Sequence, residues 1–514
     1  MIRTKRFVCF VVSIFGLACA AESQVSVLTY HNDNFRQGAN TNETVLTPAS
    51  VSSNTFGRLF TRNVDGYVYA QPLVAVGVNM AKAGARNVVY VATEHDSVYA
   101  FDADNGKPYW HAKLLPKHSR TVSSTQVQCD DLIPEIGITS TPVIDLVSST
   151  IYVLSKAQTN SVCFQQLHAL DLTTGMEKFG GPVTITASVP GSGDGSANSV
   201  ISFDPLLQHQ RAALLLSGGI VYIAWASHCD NGPYHGWIMG YDASTLQQVS
   251  VFNATPNGSQ GGIWQAGCGL SADGNGNLFC GVGNGSFDAS SDGSDCGESI
   301  LKLSASDLSV QDYFAPFDQA TLSANDLDLG SDGVLLLPDQ SGARPHLAIA
   351  GGKEGKLYVL DRDNLGHFNS GGDNVVQTLT GGSGIFSTPA YFNGSIYFCA
   401  AGAPLQAYSL SNGQLSSTPT SQAATSFGFP GATPSISADG TSNGIVWALQ
   451  TNAFHTNGLA ILHAYDANDL SRELFTGADK RQAPGPAVKF TVPTVANGRV
   501  YVGAVRRLAV YGLR

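Results

Sequence analysis

Short runs in which apolar residues alternate with small or polar ones recur along the chain, separated by turns rich in Gly, Asp, Asn and Thr. The stretch NVVYVATEHDSVYAFDADNG, Asn87 to Gly106, shows the unit: an apolar strand, a polar turn, a second strand and a closing turn. It returns as TIYVLSKAQTNSVCFQQLHALDLTTG, IVYIAWASHCDNGPYHGWIMGYDAST, ESILKLSASDL, KLYVLDRDNLG, SIYFCAAGAPLQAYSLSNG, GLAILHAYDANDL and RVYVGAVRRLAVYGL, which makes eight copies. Several copies follow a Pro-containing strand entry, as in STPVID, STPAYF, ATPSIS and VPTVAN. A period of two marks strands, and no long stretch keeps the 3.6-residue period of a helix. Repeats of this size in an all-β chain predict an eight-bladed β-propeller, one four-stranded sheet per blade. Each blade has apolar faces that only its neighbours can cover, so the ring must close. The last copy stops at the C-terminus, so an N-terminal segment such as NTFGRLFTRNV, Asn54 to Val64, is expected to complete the eighth blade. No long polar linker divides the chain, so residues 21–514 are expected to form a single domain, with a pair of smaller β-domains as the alternative.

Composition agrees with strands and turns: Gly is frequent, with 56 residues in a chain of 514, and charged residues make up only 13%. The net charge of −11 comes without a basic stripe, which excludes nucleic acid as an expected partner. Arg3, Lys5 and Arg6 precede an apolar run from Phe7 to Ala18 and the small residues Ala18-Cys19-Ala20. That order is expected of a secretory signal peptide over residues 1–20, with acylation of Cys19 as a lipoprotein the alternative. No other stretch is apolar enough to span a bilayer, so a secreted or periplasmic protein is expected. Seven cysteines follow the cleavage point, and an odd number leaves at least one free. Cys268 and Cys280 flank the turn of a predicted hairpin and could pair, with Cys229 a competing partner for Cys268. The absence of a C-x-x-C-H sequence excludes covalent haem, so a dehydrogenase built on this chain would need a separate electron acceptor.

The strand-end turns AFDADNG, ALDLTTG and VLDRDNLG are typical of quinoprotein-type propellers. With them the chain resembles the eight-bladed dehydrogenases that use pyrroloquinoline quinone (PQQ) and a metal ion. The resemblance covers the mature chain as a repeat and sharpens between Trp264 and Arg362. GGIWQAGCGLSADGNGNLFCGVGNGSFD, Gly261 to Asp288, is similar to the family's segment with a tryptophan under the quinone and a metal-binding asparagine. That match implies a stacking role for Trp264 and a metal-ligand role for Asn284. ANDLDLGSDGVLLLPD, Ala324 to Asp339, resembles the segment with the catalytic aspartate, here Asp326, which also ligates the metal. Asp328 stands where the lanthanide-using branch carries an extra carboxylate. GGKEGKLYVLDR resembles the strand whose basic residue, here Lys353, contacts the quinone oxygens. The resemblance therefore implies oxidation of an alcohol, sugar or similar small hydroxyl compound, with PQQ and Ca²⁺ or a lanthanide as cofactors.

These residue types suit that chemistry in their own right. Indole offers the largest flat apolar floor for a planar cofactor. A cation acting as a Lewis acid needs oxygen ligands from Asn or Asp. A nearby carboxylate can take the alcohol proton, and a lysine can stabilise charge that develops on the quinone. Taken singly, each has a plainer reading: core packing for Trp264, a turn for Asn284, a solvated loop for Asp326 and Asp328, and a surface charge for Lys353.

Two departures from the family stand out. Its catalytic members mostly carry two adjacent cysteines above the cofactor, and no Cys-Cys occurs here. The metal-binding glutamate expected before GYDA is also missing, with Asn231 nearest that position and Asp230 beside it. A non-catalytic propeller serving as a binding or assembly scaffold is accordingly the alternative function. His228, Cys229, Asp230 and His235 fit no standard zinc spacing and are expected to form a polar loop. Asp288, Asp292, Asp295 and Glu298 are expected in a solvated loop, and TEHDS, Thr93 to Ser97, in a polar turn.

Overall fold

Strand pairing groups the chain into eight blades, and each of the eight sequence copies supplies the central strands of one of them. The computed structural model describes residues 24–514, so the expected signal peptide lies outside the described residues. In the first blade Leu73–Met80, Gly84–Thr93, Ser97–Asp102 and Pro108–Lys113 follow one another as an antiparallel meander. The eighth blade is completed by Phe56–Tyr67, which pairs with the C-terminal strand Arg499–Leu513, Phe56 opposite Leu513. That is the N-terminal closure expected of NTFGRLFTRNV. Among the described residues the α-helices are two, four and six residues long. None is long and apolar enough to cross a membrane.

The core lies between blades. Along Ile220–Ser227, Val221, Ile223 and Trp225 pack toward the second blade, against Tyr152 and Leu154. Tyr222 and Ala224 pack the opposite way, toward Leu278 and Cys280 of the fourth. Period-two alternation thus places apolar residues on both faces of each blade. The same arrangement repeats round the ring, which closes where Tyr501 and Val510 meet Val89 and Val91. The turn signature has a local cause as well: the Asp171 side chain accepts from the backbone N–H of Thr173 and Thr174, both at 3.0 Å, ahead of left-handed Gly175. Its carboxylate shapes a turn and is not a ligand.

Residues 27–43 do something the repeat did not signal. This strap runs along the edge strands of successive blades. Backbone bonds join Val27 to Val74 in the first blade, Leu28 to Ile144 in the second, and Asn34 to Ala272 in the fourth. Phe35 then bonds to Leu336 in the fifth, Gln37 to Tyr391 in the sixth and Gly38 to Ile436 in the seventh. Arg36, fully buried, donates to the carbonyls of Tyr30 and Leu270. The strap satisfies edge groups that would otherwise stand open.

The cysteine expectation is corrected. Cys129 pairs with Cys229, while Cys268 and Cys280 are free and buried. Ser271 and Ala272 sit opposite Phe279 and Leu278, a register that carries Cys280 toward Leu270 and away from Cys268. Cys280 then faces the third blade, and Cys268 packs with Tyr30, Ala213 and Val492.

The loop expected to be solvated is so only in part: Asp292 is exposed, whereas Asp295 and Glu298 are buried, and TEHDS is a polar turn, but a buried one. Asp295 accepts from Asn257 N–H at 2.9 Å, and Glu298 accepts from Leu329 N–H at 2.7 Å. In TEHDS, Glu94 accepts from Gly137 N–H at 2.7 Å and from Thr139 Oγ1 at 3.1 Å, while its other oxygen has no partner. Burial pushes the Glu94 carboxyl up to about 8. The folded protein therefore holds a proton there that the unfolded chain gives up. The stability this supplies is complete below the unfolded pKa and is lost as pH rises through about 8. Glu94→Gln is expected to make the fall of Tm between about pH 5 and pH 9 shallower. Thermal melts across that range check it; an unchanged slope would show that Glu94 is ionised when folded. Asp96, also raised by burial, should keep some slope in the variant.

Candidate active site

Strand ends of the third, fourth and fifth blades bound a cavity of about 470 Å³. Trp264, Asp326, Asp328 and Lys353 line it, and Asn284 stands directly behind them. All five residues singled out in the sequence therefore meet in one place.

Glycines make that approach feasible. A Cβ on Gly283 would lie 2.3 Å from Asp328 Oδ1, so only glycine lets this carboxylate reach the Asn284 backbone. Asp328 Oδ1 accepts from Asn284 N–H at 2.7 Å, and its side chain is only 2% exposed. A Cβ on Gly352 would lie 2.8 Å from the Asp328 carbonyl oxygen, the acceptor of Lys353 N–H at 3.0 Å. The Gly-Gly-Lys sequence thus lets two chain segments run side by side and brings the lysine amine to the aspartates. Asp326 is left-handed, φ 54°, and 64% exposed on the cavity side. Asp tolerates that conformation better than most residues.

The Lys353 ammonium bridges both carboxylates, 2.5 Å from Asp326 Oδ1 and 2.6 Å from Asp328 Oδ2. Burial alone would lower the lysine, but the Asp328 and Asp326 carboxylates outweigh it and hold the ammonium above its ordinary range. Asp328 is pushed up by burial against the pull of Lys353. The Asn284 amide nitrogen donates to Asp326 Oδ1 at 2.9 Å, leaving the buried Asn284 Oδ1 without a partner. Both implied metal ligands are therefore adjacent, and the Asn284 amide would turn over to present its oxygen to a cation held with Asp326. Trp264 Nε1 is likewise buried and unpartnered.

Replacing Lys353 by Met removes the cation that pairs with Asp328 among the described residues. Because the lysine is 22% exposed, the pair is not sealed from water. The expected loss is about 1–3 kcal/mol, less than the 3–5 kcal/mol of a dry pair. Urea unfolding of the variant checks it, and no change would mean that Asp328 is already neutral.

Sequence reasoning missed the remainder of the cavity. Phe386, Phe429 and Phe490 form an aromatic wall, with ring centroids 5.1 Å apart for the first pair and 6.0 Å for the second. The Arg211 guanidinium lies over the Phe490 ring at 4.4 Å. Burial lowers the nearby Lys489 amine to about 8. These residues stand in loops of different blades, and nothing local in the sequence joins them. Of the two residues near the absent glutamate, Asp230 lines the cavity and accepts from Tyr234 Oη. Asn231 instead turns away to donate to the carbonyls of Val127 and Gln128, at 2.9 and 3.1 Å. His228 and Cys229 serve other partners, Asp131 and Cys129, and His235 bonds to Thr255 and Asp194.

The donor set suits a hard cation. Two aspartate carboxylates, a third from Asp230 and an unanswered amide oxygen from Asn284 offer only oxygen. The cavity size falls in the range of small-molecule sites, and its aromatic lining suits a planar ligand.

The fold is shared with solved quinoprotein structures. A quinohemoprotein alcohol dehydrogenase from Pseudomonas putida HK5 matches with a TM-score of 0.62 and 15% identity, over 95% of this chain and 80% of that one. One from Comamonas testosteroni matches with a TM-score of 0.62 and 15% identity, over 96% and 81%. A europium-containing methanol dehydrogenase matches with a TM-score of 0.59 and 12% identity, over 95% and 98%. No protein-family profile and no curated protein matches the sequence. At these identities the likeness is one of fold: this chain shares the eight-bladed propeller fold of those structures.

Proposed function

We propose that this propeller is an exported PQQ- and metal-dependent dehydrogenase for an alcohol, sugar or similar small hydroxyl compound. The observation that carries the reading is the convergence of Trp264, Asn284, Asp326, Asp328 and Lys353, from three blades, on one cavity. Asp326, Asp328 and the Asn284 amide oxygen would hold a Ca²⁺ or lanthanide ion, with Asp230 standing in for the missing glutamate. Trp264 would floor the quinone ring. PQQ carries carboxylates, and Arg211 and Lys489 supply cations for them along the wall. When bound, the quinone accepts the substrate's electrons while the cation polarises its carbonyl.

The chain's own part is positioning and proton transfer. Asp326, the exposed member of the pair, is placed to take the substrate hydroxyl proton. Asp328, buried and held by Asn284 N–H, keeps a fixed carboxylate beside it. The Lys353 ammonium offsets their charge and supplies a donor at the cavity edge. The three phenylalanines give the cavity an apolar wall that would limit water at the reacting centre. Export into an oxidising compartment is supported by the Cys129–Cys229 disulfide. Electrons would leave to a separate acceptor.

A scaffold reading draws on one feature: Lys353 already bridges the two carboxylates and balances one of their charges without any added ion. Dye-linked turnover with a panel of alcohols and sugars, after loading with PQQ and Ca²⁺ or La³⁺, separates the two. Cofactor-dependent reduction of the dye is expected. A cofactor-loaded protein inert toward every hydroxyl compound would favour the scaffold.

A further inference from the structure

The same cavity carries a second cluster with different chemistry. Asp131 Oδ2 is 2.8 Å from His228 Nδ1 and 3.4 Å from His209 Nδ1. Each residue offers one ligand atom, and the three atoms lie within 4.8 Å of one another. His209 and His228 follow from strand pairing: His209 sits opposite Ala226, two residues before His228, and the rings stack at 4.4 Å. Asp131 is brought from the second blade by the Cys129–Cys229 disulfide, which ties its loop to the residue after His228.

The orphaned groups point to a ligand. His209 is 3% exposed, and neither of its ring nitrogens has a hydrogen-bond partner. Its contact with Asp131 is close but too poorly aligned to be a hydrogen bond. A buried imidazole with both nitrogens unanswered is costly unless something else satisfies it. The ring also lies edge-on to Trp264, 6.2 Å between centroids.

We propose that Asp131, His209 and His228 form a second metal site, one for a borderline divalent transition ion such as Zn²⁺, independent of the carboxylate site. Two imidazole nitrogens and one carboxylate oxygen suit Zn²⁺, Cu²⁺ or Fe²⁺, whereas Ca²⁺ and lanthanides prefer an all-oxygen set. Asp131 and His209 line the cavity, so a fourth position would open toward it, as in catalytic zinc sites. The stacked rings must splay by side-chain rotation to converge on the ion.

Lys156 sets the protonation cost. Its Nζ donates to the Leu206 and Gln208 carbonyls at 2.8 and 3.1 Å and lies 2.9 Å from His228 Nε2. With Nε2 accepting from the ammonium, His228 Nδ1 carries the proton shared with Asp131. The ion would displace that proton to solvent by way of the pair: Nε2 takes the hydrogen from Lys156, whose amine keeps both carbonyl acceptors.

The test uses the full exported chain, stripped with chelator and held in excess Ca²⁺ so that the carboxylate site is occupied. Titration with Zn²⁺ is expected to show one ion per chain. Zinc-edge X-ray absorption of the loaded wild-type protein is expected to show two imidazole nitrogens. His209→Gln should weaken Zn²⁺ by at least roughly 10–100-fold, the loss usual for outer partners of a metal site. Asp326→Asn should leave Zn²⁺ affinity unchanged, and Lys156→Met should raise it. Absence of stoichiometric Zn²⁺ uptake, an absorption spectrum without imidazole, or undiminished binding by His209→Gln would each overturn the proposal. The wild-type spectrum decides the matter even if the variant does not fold.

Discussion

Asp326→Asn is expected to lower turnover of any hydroxyl substrate by about 10²–10⁴-fold, while PQQ binding stays within a few-fold. Asparagine keeps the shape of the side chain and tolerates the left-handed backbone at this position, φ 54°. What it loses is the capacity to take a proton, together with one negative charge toward the cation it would help to hold, for which Asp328 keeps its carboxylate. Lys353 keeps its 2.6 Å contact with Asp328, so the bridge to the fifth blade survives. Comparing turnover with binding in the variant therefore weighs proton transfer against site assembly. Single-turnover dye reduction and a binding titration on the same preparation give both readouts. Equal loss of binding and turnover would mean that Asp326 holds the site together and is not the base. Full activity would place the base elsewhere, with Asp328 the next candidate.

Replacing both Cys129 and Cys229 by Ser is expected to cost about 2–5 kcal/mol of stability. The bond spans a sequence separation of 100, and closing so long a loop restricts the unfolded chain strongly. It also does local work in the folded state. Cys129 follows the short helix Ser124–Val127, and Cys229 follows the strand Ile220–Ser227, so the bond clamps a second-blade loop onto the third blade. Asp131 and Leu132, both in the cavity wall, depend on that clamp. The double variant should show a lower urea midpoint, and its Zn²⁺ affinity should fall with the displacement of Asp131. An unchanged midpoint would show that the blade interface alone fixes the loop. The pair is not the adjacent-cysteine ring of the resembled enzymes, yet Cys229 reaches the same cavity.

The blades were legible because each strand obeys a local rule. Alternation in NVVYVAT or IVYIAWA follows from burial on both faces of a sheet, and Asp-x-x-x-Gly turns close on themselves. The strap of residues 27–43 obeys no such rule. Its backbone partners are edge strands of six blades, so its sequence shows no period, and nothing local marks Arg36 as buried. The cysteine pairing failed for a related reason: hairpin proximity suggested Cys268 with Cys280, but register and facing separate them. At the site, Trp264, Asn284, Asp326, Asp328 and Lys353 were legible through family register, not through their own spacing. Asp131, His209, Arg211 and Lys489 carried no such signal. Each lies in a loop or at a strand end whose neighbours in space come from other blades, and only the closed ring brings them together.

The claim on which the account rests is that one cavity takes a planar quinone together with a hard cation. Titrating PQQ into chelator-stripped protein, with and without Ca²⁺ or La³⁺, tests it most directly through the absorption spectrum of the bound quinone. The expected result is one PQQ per chain, bound more tightly with the ion present and weakened by Trp264→Ala. Failure to saturate under either condition, or binding indifferent to both the ion and Trp264, would contradict it.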